Sequence, residues 1–138
     1  MRTVENIMSK NVVSVDMDDT LQEVRDIFEH VRFHHLLVME NDRVAGIISD
    51  RDLLKAVSPF ASTRSEHPRD AATLRKRAHQ IMTRKPVTIA ADAGVIDAVR
   101  SFIDNNISCL PVLNKDGTVA GMLTWRDILK AIAATVRT

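Results

Sequence analysis

One stretch of this sequence occurs twice, as AGIISDRDLLKA at residues 45–56 and as AGMLTWRDILKA at residues 120–131. Each copy begins with an apolar run typical of a strand and continues into a helical pattern, with Ser/Thr-x-x-Asp at the junction. A repeat decides the architecture before any residue chemistry is considered, because each unit buries its apolar face against its neighbour. The sequence therefore predicts two equivalent units that pack face to face and place two equivalent clefts between them.

The repeat extends over most of the chain. Ile7-Met8-Ser9 matches Ile81-Met82-Thr83 at an offset of 81 − 7 = 74 residues, and at Gly46 and Gly121 the offset is 121 − 46 = 75. The added residue lies near Asn114-Lys115-Asp116-Gly117, which has the composition of a hairpin turn. Insertions are tolerated at such loop tips, so this difference leaves the equivalence of the two units intact.

Each unit has the pattern of a strand, a helix, two strands and a final helix. The first helix begins with the capping box Thr20-Leu21-Gln22-Glu23 in one unit and at Gly94 in the other. The strands are expected at residues 12–15, 36–39 and 44–48, and again at 87–89, 110–113 and 119–123. The hairpin strands are continuous apolar runs, which indicates that both of their faces are covered. The sequence predicts a mixed α+β fold of two β-α-β-β-α repeats with pseudo-twofold symmetry.

The repeats are joined by a segment of different composition. We place the first repeat at residues 1–57, the connecting segment at 58–78 and the second repeat at 79–138. Prolines interrupt regular structure in the first part of this connection. A helix is expected from Asp70, with one apolar face formed by Ala71, Leu74, Ala78 and Ile81. Arg75-Lys76-Arg77 lies on its other side, either as a solvated surface or as a patch that docks a partner.

Composition excludes several classes of function. The 138 residues are 45% hydrophobic and 27% charged, which is typical of a soluble globular protein. The net charge of +1 and the low aromatic content argue against nucleic-acid binding. No apolar run approaches the ~20 residues needed to cross a bilayer, and the first residues lack a signal peptide, so no membrane insertion is expected. The single cysteine, Cys109, allows no internal disulfide, which fits a cytoplasmic location.

These motifs resemble those of the cystathionine-β-synthase (CBS) domain. The signature Gly-h-h-Ser/Thr-x-x-Asp, where h is an apolar residue, is present at residues 46–52 and 121–127. The Ile-Met-Ser/Thr segments and Ser108-Cys109-Leu110-Pro111-Val112 resemble the family as well. One signature would be weak support, but two copies, each preceded by the matching strand, helix and hairpin, are strong. The resemblance covers nearly the whole chain and leaves out only residues 58–79.

The resemblance implies a function. CBS domains occur in tandem pairs that bind adenosine-containing ligands in the cleft between the repeats and regulate an enzyme, channel or transporter. This chain is expected to be a stand-alone, non-catalytic regulatory module that senses AMP, ADP, ATP or S-adenosylmethionine, and thereby cellular energy. No cofactor is expected beyond the nucleotide, which a Mg²⁺ ion could accompany. The family also forms dimers arranged as a disc of four repeats, so a homodimer and a regulated enzyme or transporter partner are implied.

The resemblance also assigns the site residues. Asp52 and Asp127 would accept hydrogen bonds from the two ribose hydroxyls, since charge-assisted bonds are the stronger kind. Ser49 and Thr124 would add a hydroxyl for ribose or phosphate. Phosphate contacts are expected from Arg51, Arg126, His34 and His35. The base pocket is expected to contain Ser9, Phe33, Thr83, Ile107, Ser108 and Cys109. Each pocket would combine the leading Ile-Met-Ser/Thr segment of one repeat with the aspartate of the other.

The two sites are not expected to be equal. His34-His35 in the first repeat is matched by Ser108-Cys109 in the second. Histidine or arginine at this place often contacts phosphate in the family. The Asp52 site is therefore predicted to prefer the more negatively charged ligand.

Other interpretations of the same residues remain open. Ser/Thr-x-x-Asp before an apolar run is also a helix capping box, which needs no ligand. The alternative function is accordingly a structural dimerisation or protein-interaction module with degenerate ligand sites. Trp125 would pack at a dimer surface or against a base. Cys109 is expected to be a buried small apolar residue.

Catalysis and metal binding are not expected. The sequence contains no glycine-rich phosphate loop and no set of nucleophile and base. His34 and His35 are adjacent on an extended segment, where neighbouring side chains point to opposite faces and so do not readily share one ion.

Overall fold

A computed structural model describes residues 3–136, which form two compact units. One unit consists of residues 13–85, and we call it the Asp52 unit. The other consists of residues 3–12 together with 86–136, and we call it the Asp127 unit. The leading segment of each repeat therefore folds with the main part of the other repeat.

The Asp52 unit is built on a four-stranded sheet. Its elements are β1 (Ser14–Asp16), α1 (Leu21–His30), β2 (His35–Glu40), β3 (Arg43–Ser49), α2 (Asp50–Ala56), α3 (Pro68–Thr73), α4 (Ala78–Ile81) and β4 (Thr83–Arg84). The strand order is β1-β2-β3-β4, with β1 parallel to β2 and the other neighbours antiparallel. Leu36, Leu37 and Val38 at the centre of β2 are fully buried. The expectation that this apolar strand is covered on both faces is confirmed.

The Asp127 unit repeats this plan on a three-stranded sheet. Its elements are a 3-10 turn (Val4–Asn6), β5 (Ile89–Ala90), α5 (Val95–Asn105), β6 (Cys109–Leu113), β7 (Val119–Thr124) and α6 (Trp125–Thr135). The strand order is β5-β6-β7, with β5 parallel to β6 and β6 antiparallel to β7. Both units thus show the predicted order of elements, and the mixed α+β fold is confirmed. The first strand of each unit, β1 and β5, begins two residues later than expected.

Each unit has its own apolar core. In the Asp52 unit the core joins helix α1 to the sheet and to α2 and α4, through Val15, Leu21, Val24, Leu36, Val38, Ile48, Leu53, Ala78 and Met82. In the Asp127 unit the core consists of Val4, Ala98, Phe102, Leu110, Val112, Leu123 and Ile128. The leading segments supply Val4 to one core and Met82 to the other, so they are part of the packing of the unit they join.

The turns and caps follow local sequence. The side chain of Thr20 accepts a hydrogen bond from Glu23 N at the start of α1, and Gly94 is the extended N-cap of α5. Asn41 and Asp42 have φ of 50° and 64° in the two-residue turn between β2 and β3, a conformation that asparagine and aspartate tolerate. Gly117 has φ of 86° in the longer turn between β6 and β7, where the sequence predicted a hairpin.

The connecting segment differs from the prediction. The single helix expected from Asp70 to Ile81 is wrong, because α3 ends at Thr73 and α4 begins at Ala78. The backbone carbonyls between α3 and α4 accept hydrogen bonds from the start of α1 instead: Leu21 N donates to Lys76 O, and Gln22 N donates to Leu74 O. Helix α3 also begins before Asp70, because the buried Asp70 carboxylate accepts hydrogen bonds from His67 N (2.8 Å) and Ser58 Oγ (2.7 Å).

The basic triplet on this connection makes local contacts. The Arg77 guanidinium donates to Asp18 O at 2.8 Å, and Lys76 Nζ lies 3.4 Å from Ala56 O. These two cations therefore bind backbone carbonyls of the Asp52 unit.

The motif glycines mark where the leading segments cross the sheets. Gly46 in β3 pairs with Arg84 in β4, and a Cβ at Gly46 would lie 2.5 Å from Met82 Sδ and 2.8 Å from Thr83 O. A Cβ at Gly121 in β7 would lie 2.5 Å from Ser9 O. Real Cβ atoms do not approach other atoms this closely, so the backbones can pack at this distance only because both residues are glycine.

We predict that Gly121→Ala and Gly46→Ala each destabilise the protein by about 1–3 kcal/mol, because the added methyl group must displace backbone. Gly94→Ala is the matched control: its Cβ would meet nothing closer than Asp97 Oδ2 at 3.4 Å, and we expect a loss below about 1 kcal/mol. Urea unfolding measures all three. Equal losses at the three glycines would contradict the close packing described above.

Candidate functional site

The first candidate site lies where β3 ends and α2 begins. Ser49 is the N-cap of α2, and Asp52 is its third residue. Ser49 Oγ accepts a hydrogen bond from Asp52 N (3.1 Å), and Asp52 Oδ2 accepts one from Ser49 N (2.8 Å). We call these residues, with His34, His35 and Asp50, the Asp52 corner.

The second candidate site has the same geometry where β7 meets α6. Thr124 Oγ1 accepts from Asp127 N (3.4 Å), and Asp127 Oδ2 accepts from Thr124 N (2.9 Å). The Thr124 hydroxyl also lies 3.2 Å from Asp127 Oδ2, to which it can donate. We call these residues, with Ser108, Cys109 and Trp125, the Asp127 corner.

Each capping carboxylate uses only one of its oxygens. Within the described residues, the hydrogen bonds of Asp52 and Asp127 side chains all go to Oδ2. Both residues are partly exposed. The cap therefore holds each carboxylate in a fixed orientation and leaves Oδ1 available to a donor from outside the protein.

The residues across each strand end also correspond. His35 in β2 pairs with Ser49, and Cys109 in β6 pairs with Thr124. The match of His34-His35 with Ser108-Cys109 is thus confirmed by strand register. Burial lowers the pKa of the His35 imidazole, although the charges of Asp50 and Asp52 oppose this effect. Cys109 is buried as expected, and burial, together with the charge of Asp127, raises the pKa of its thiol to about 12.

A carboxylate that the sequence reasoning missed lies beside His34. Asp50 Oδ2 is 2.8 Å from His34 Nδ1, and Asp50 N donates to His34 O at 2.9 Å. The hydrogen bond from His34 is the main cause that lowers the pKa of the Asp50 carboxyl. The equivalent position in the Asp127 corner is Trp125. The sequence shows this difference between the repeats: residues 49–52 are SDRD, whereas the matching residues 124–127 are TWRD.

Trp125 makes contacts within its own unit. Its Nε1 donates to Ile107 O at 3.2 Å, and its ring meets that of Phe102 edge to face at a centroid distance of 6.4 Å. The side chain is still 54% exposed. About half of its surface is therefore accessible to a partner or a ligand.

The remaining predicted residues lie in these surroundings. Thr83 in β4 pairs with Ile47 in β3, and Ser9 exchanges two backbone hydrogen bonds with Met122 in β7 (2.8 and 2.9 Å). Each leading segment thus runs beside the strand that leads into the helix of the capping aspartate. Arg51, Arg126, Phe33 and Ser108 are exposed, and Ile107 is partly buried. Phe33 belongs to the Asp52 unit, and Ile107 and Ser108 belong to the Asp127 unit.

An open groove extends from Asp127 along helix α6. It has a volume of about 590 Å³. Its walls are the leading segment on one side and successive turns of α6 on the other: Asn6, Ile7, Asp127, Lys130, Ala131, Ala134 and Thr135. This size is within the range of small-molecule sites. The groove is not visible in the sequence, because its two walls are more than 100 residues apart in the chain.

Two further findings bear on the class of site. Among residues 3–136, the structure gathers no group of three or more histidine, cysteine, aspartate or glutamate side chains that could hold a metal ion. Within the same residues, none of the helices is both long and apolar enough to span a bilayer.

Comparison with known sequences finds one family. The CBS domain model matches residues 4–59 and 78–134. A CBS domain-containing protein of Dictyostelium discoideum is 36% identical over 128 residues, which cover 91% of this chain and 88% of that protein. A homoserine O-acetyltransferase of Methanococcus vannielii is 26% identical, but this chain spans only 25% of its length. The likeness to that enzyme is thus confined to one part of it.

Comparison with solved structures finds one fold. The crystal structure of CBSX2 in complex with AMP has a TM-score of 0.81 at 23% identity and covers 99% of this chain and 100% of that chain. The CBS domain pair of protein MJ0100, in complex with 5′-methylthioadenosine and S-adenosyl-L-methionine, has a TM-score of 0.78 at 24% identity. It covers 97% of this chain and 98% of that chain. At these identities the likeness establishes the fold.

We predict that Cys109 is inert in the folded protein. With a thiol pKa of about 12, its thiolate population at pH 8 is about a thousandfold below that of an ordinary cysteine. A thiol-labelling assay at pH 8 should therefore show no reaction over minutes in buffer and full reaction in denaturant. In the control, Cys109→Ser combined with Ser108→Cys, the thiol moves to the exposed neighbouring position and should react rapidly. Fast labelling of native Cys109 would contradict its burial.

Proposed function

We propose that this chain, which belongs to the CBS domain family, is a regulatory module that binds an adenosine-containing nucleotide at its Asp52 and Asp127 corners. The observation that carries the proposal is the free Oδ1 of each capping carboxylate. A ribose presents two adjacent hydroxyl donors, and a carboxylate held in one orientation can accept from them at low entropic cost. The cap itself supplies that orientation in both corners.

The class of ligand is supported by the structural relatives. CBSX2 was crystallised with AMP, and the MJ0100 pair with 5′-methylthioadenosine and S-adenosyl-L-methionine. All three ligands contain adenosine, so we infer that AMP, ADP, ATP or S-adenosylmethionine is the ligand here. Ser49 and Thr124 would assist at the ribose, and Arg51 and Arg126 would contact phosphate, with Mg²⁺ as a companion of a polyphosphate.

The base would lie against apolar and backbone groups near the strand ends. Ser9 and Thr83 support this role because their backbones run beside β7 and β3, the strands that lead into the two capped helices. Phe33, Ile107, Ser108 and Cys109 would complete the base pockets. The first two have apolar side chains that remain partly exposed, as stacking on a base requires.

The module would act on another protein without catalysing a reaction itself. Its likeness to homoserine O-acetyltransferase covers a quarter of that enzyme, and we do not extend that enzyme's activity to this chain. Ligand binding can regulate a partner only if the ligand prefers one of two states of the module. An enzyme or transporter as the regulated partner, and energy sensing as its purpose, are parts of this proposal.

A structural dimerisation module is the second candidate function. Two observations favour it. Both Ser/Thr-x-x-Asp motifs form complete capping boxes, which would explain the aspartates without a ligand. Helix α6 also carries an apolar stripe, Trp125, Leu129 and Ile132, whose members are 43–64% exposed. The two functions are compatible, since a dimer of this kind can also hold ligands.

We predict that Asp52→Asn and Asp127→Asn together abolish adenosine and AMP binding. Asparagine keeps an oxygen for the cap but loses the charge that strengthens the ribose hydrogen bonds. Isothermal titration should show binding in the wild type and none in the double variant. The cost in stability should stay near 1 kcal/mol.

A matched control separates the cap from the ligand. Thr20→Ala removes the N-cap hydroxyl of α1, which lies outside both corners, and should cost about 1 kcal/mol without weakening adenosine binding. If the double aspartate variant binds adenosine as well as the wild type does, the carboxylates are caps only. Absence of binding in the wild type would leave the structural module as the function.

We predict a homodimer that buries the α6 stripe. Its three apolar side chains, at i, i+4 and i+7, lie on one face of the helix, which suits an isologous interface. Leu129→Glu should convert the dimer to a monomer at micromolar concentration, as measured by light scattering after size exclusion. Ala134→Glu, on the opposite face of α6, is the control and should leave the mass unchanged. A monomeric wild type would overturn this prediction.

A further inference from the structure

We propose that the two corners divide adenosine ligands by charge. The Asp52 corner takes ligands without a polyphosphate tail, and the Asp127 corner takes ligands with one. This inference rests on the proposed function and adds a different specificity to each corner. It reverses the expectation drawn from His34 and His35 alone.

The Asp52 corner offers a phosphate little positive charge from its histidines. His34 Nδ1 is already engaged by Asp50 Oδ2 at 2.8 Å, and His35 is partly buried. Burial lowers the pKa of His35, which favours its neutral form, and the hydrogen bond from His34 lowers the pKa of the Asp50 carboxyl, which favours its ionised form. The side chain of Asp50 is 43% exposed. A polyphosphate bound at Asp52 would therefore meet a second carboxylate.

The Asp127 corner lacks that second carboxylate. Trp125 occupies the position of Asp50 and is held by Ile107 O and the ring of Phe102. Cys109 is neutral, since its thiol has a pKa of about 12. Asp127 is thus the one anionic member of the corner as we have defined it, and its free oxygen suffices for a ribose.

The groove gives the polyphosphate a path. It begins at Asp127 and follows α6, where the Lys130 ammonium is exposed at its wall and Asn6 lies opposite. Ala131 and Ala134 are small enough to leave room for a ligand tail. Phosphate oxygens that leave the ribose in this direction would meet the lysine, a suitable point charge for phosphate.

The greater length of α6 relative to α2 explains why the groove lies at the Asp127 corner. The counterpart of Lys130 is Lys55, but α2 ends at Ala56, whereas α6 continues to Thr135. Helix α2 therefore lacks the turns that correspond to Ala134 and Thr135 in the groove wall. The longer α6 and the uncharged Trp125 both favour a polyphosphate at the Asp127 corner. The shorter α2 and the Asp50 carboxylate both disfavour one at the Asp52 corner.

The test uses proteins in which one corner at a time is disabled. Asp127→Asn leaves the Asp52 corner, and Asp52→Asn leaves the Asp127 corner. Isothermal titration with adenosine, AMP and ATP, in EDTA to remove divalent cations, gives the ratio of the ATP and adenosine dissociation constants for each protein. We expect this ratio to be higher by about tenfold or more in the protein that retains the Asp52 corner.

Charge variants then assign the cause. In the Asp127→Asn protein, adding Asp50→Asn keeps an acceptor for His34 but removes the charge, and should lower the ratio about three- to tenfold. In the Asp52→Asn protein, adding Lys130→Gln should raise the ratio by a similar factor. Lys115→Gln, which removes the same charge at the β6–β7 turn, is the control and should leave the ratio unchanged. Melting temperatures verify that each variant is folded.

The outcomes separate this inference from the function on which it rests. If adenosine binds but Asp50→Asn leaves the ratio unchanged, Asp50 does not select against polyphosphate and the inference is overturned. It is also overturned if Lys130→Gln and Lys115→Gln have equal effects. If the wild type binds neither adenosine nor AMP, the proposed function itself fails.

Discussion

The close contact between each motif glycine and a leading segment is the constraint on which the rest of the structure depends. Gly46 and Gly121 lie in the strands that lead into the capped helices, and the backbones at Thr83 and Ser9 pass within van der Waals contact of them. Each contact joins a residue of one repeat to a sheet formed by the other. Neither core is complete without a residue from the other repeat, since Val4 belongs to one core and Met82 to the other.

The same strands position the residues of the two candidate sites. A strand that a leading segment holds in place ends at Ser49 or Thr124, and the reciprocal cap there fixes Asp52 or Asp127. Capping and ligand binding look like competing explanations of Ser/Thr-x-x-Asp as long as the carboxylate is considered as one group. The structure assigns the cap to Oδ2, which leaves Oδ1 for a ligand. Stability and binding can therefore reside in one side chain.

The parts of this structure that follow from local sequence were predictable. Gly94 as an N-cap, the capping hydroxyl of Thr20 and the turn at Gly117 depend only on neighbours in the chain. Periodicity placed six of the seven described strands to within about two residues and did not predict β4. The helix expected from Asp70 to Ile81 failed for a non-local reason. Its middle residues give their carbonyls to the start of α1, some 55 residues earlier. Helical periodicity in a sequence does not show that a distant segment competes for the backbone carbonyls of the expected helix.

The candidate sites show the same limit more sharply. The family resemblance assigns ribose contacts to Asp52 and Asp127 and phosphate contacts to His34 and His35, without regard to the acid beside His34. Asp50 changes the charge of that group only because the turn from β3 into α2 brings it within 2.8 Å of His34. Its counterpart, Trp125, makes contacts with Ile107 and Phe102 that an aspartate could not make. The duplicated fold gives the two corners the same backbone plan. The first residue after the cap is Asp50 in one copy and Trp125 in the other, and this difference makes their electrostatics differ.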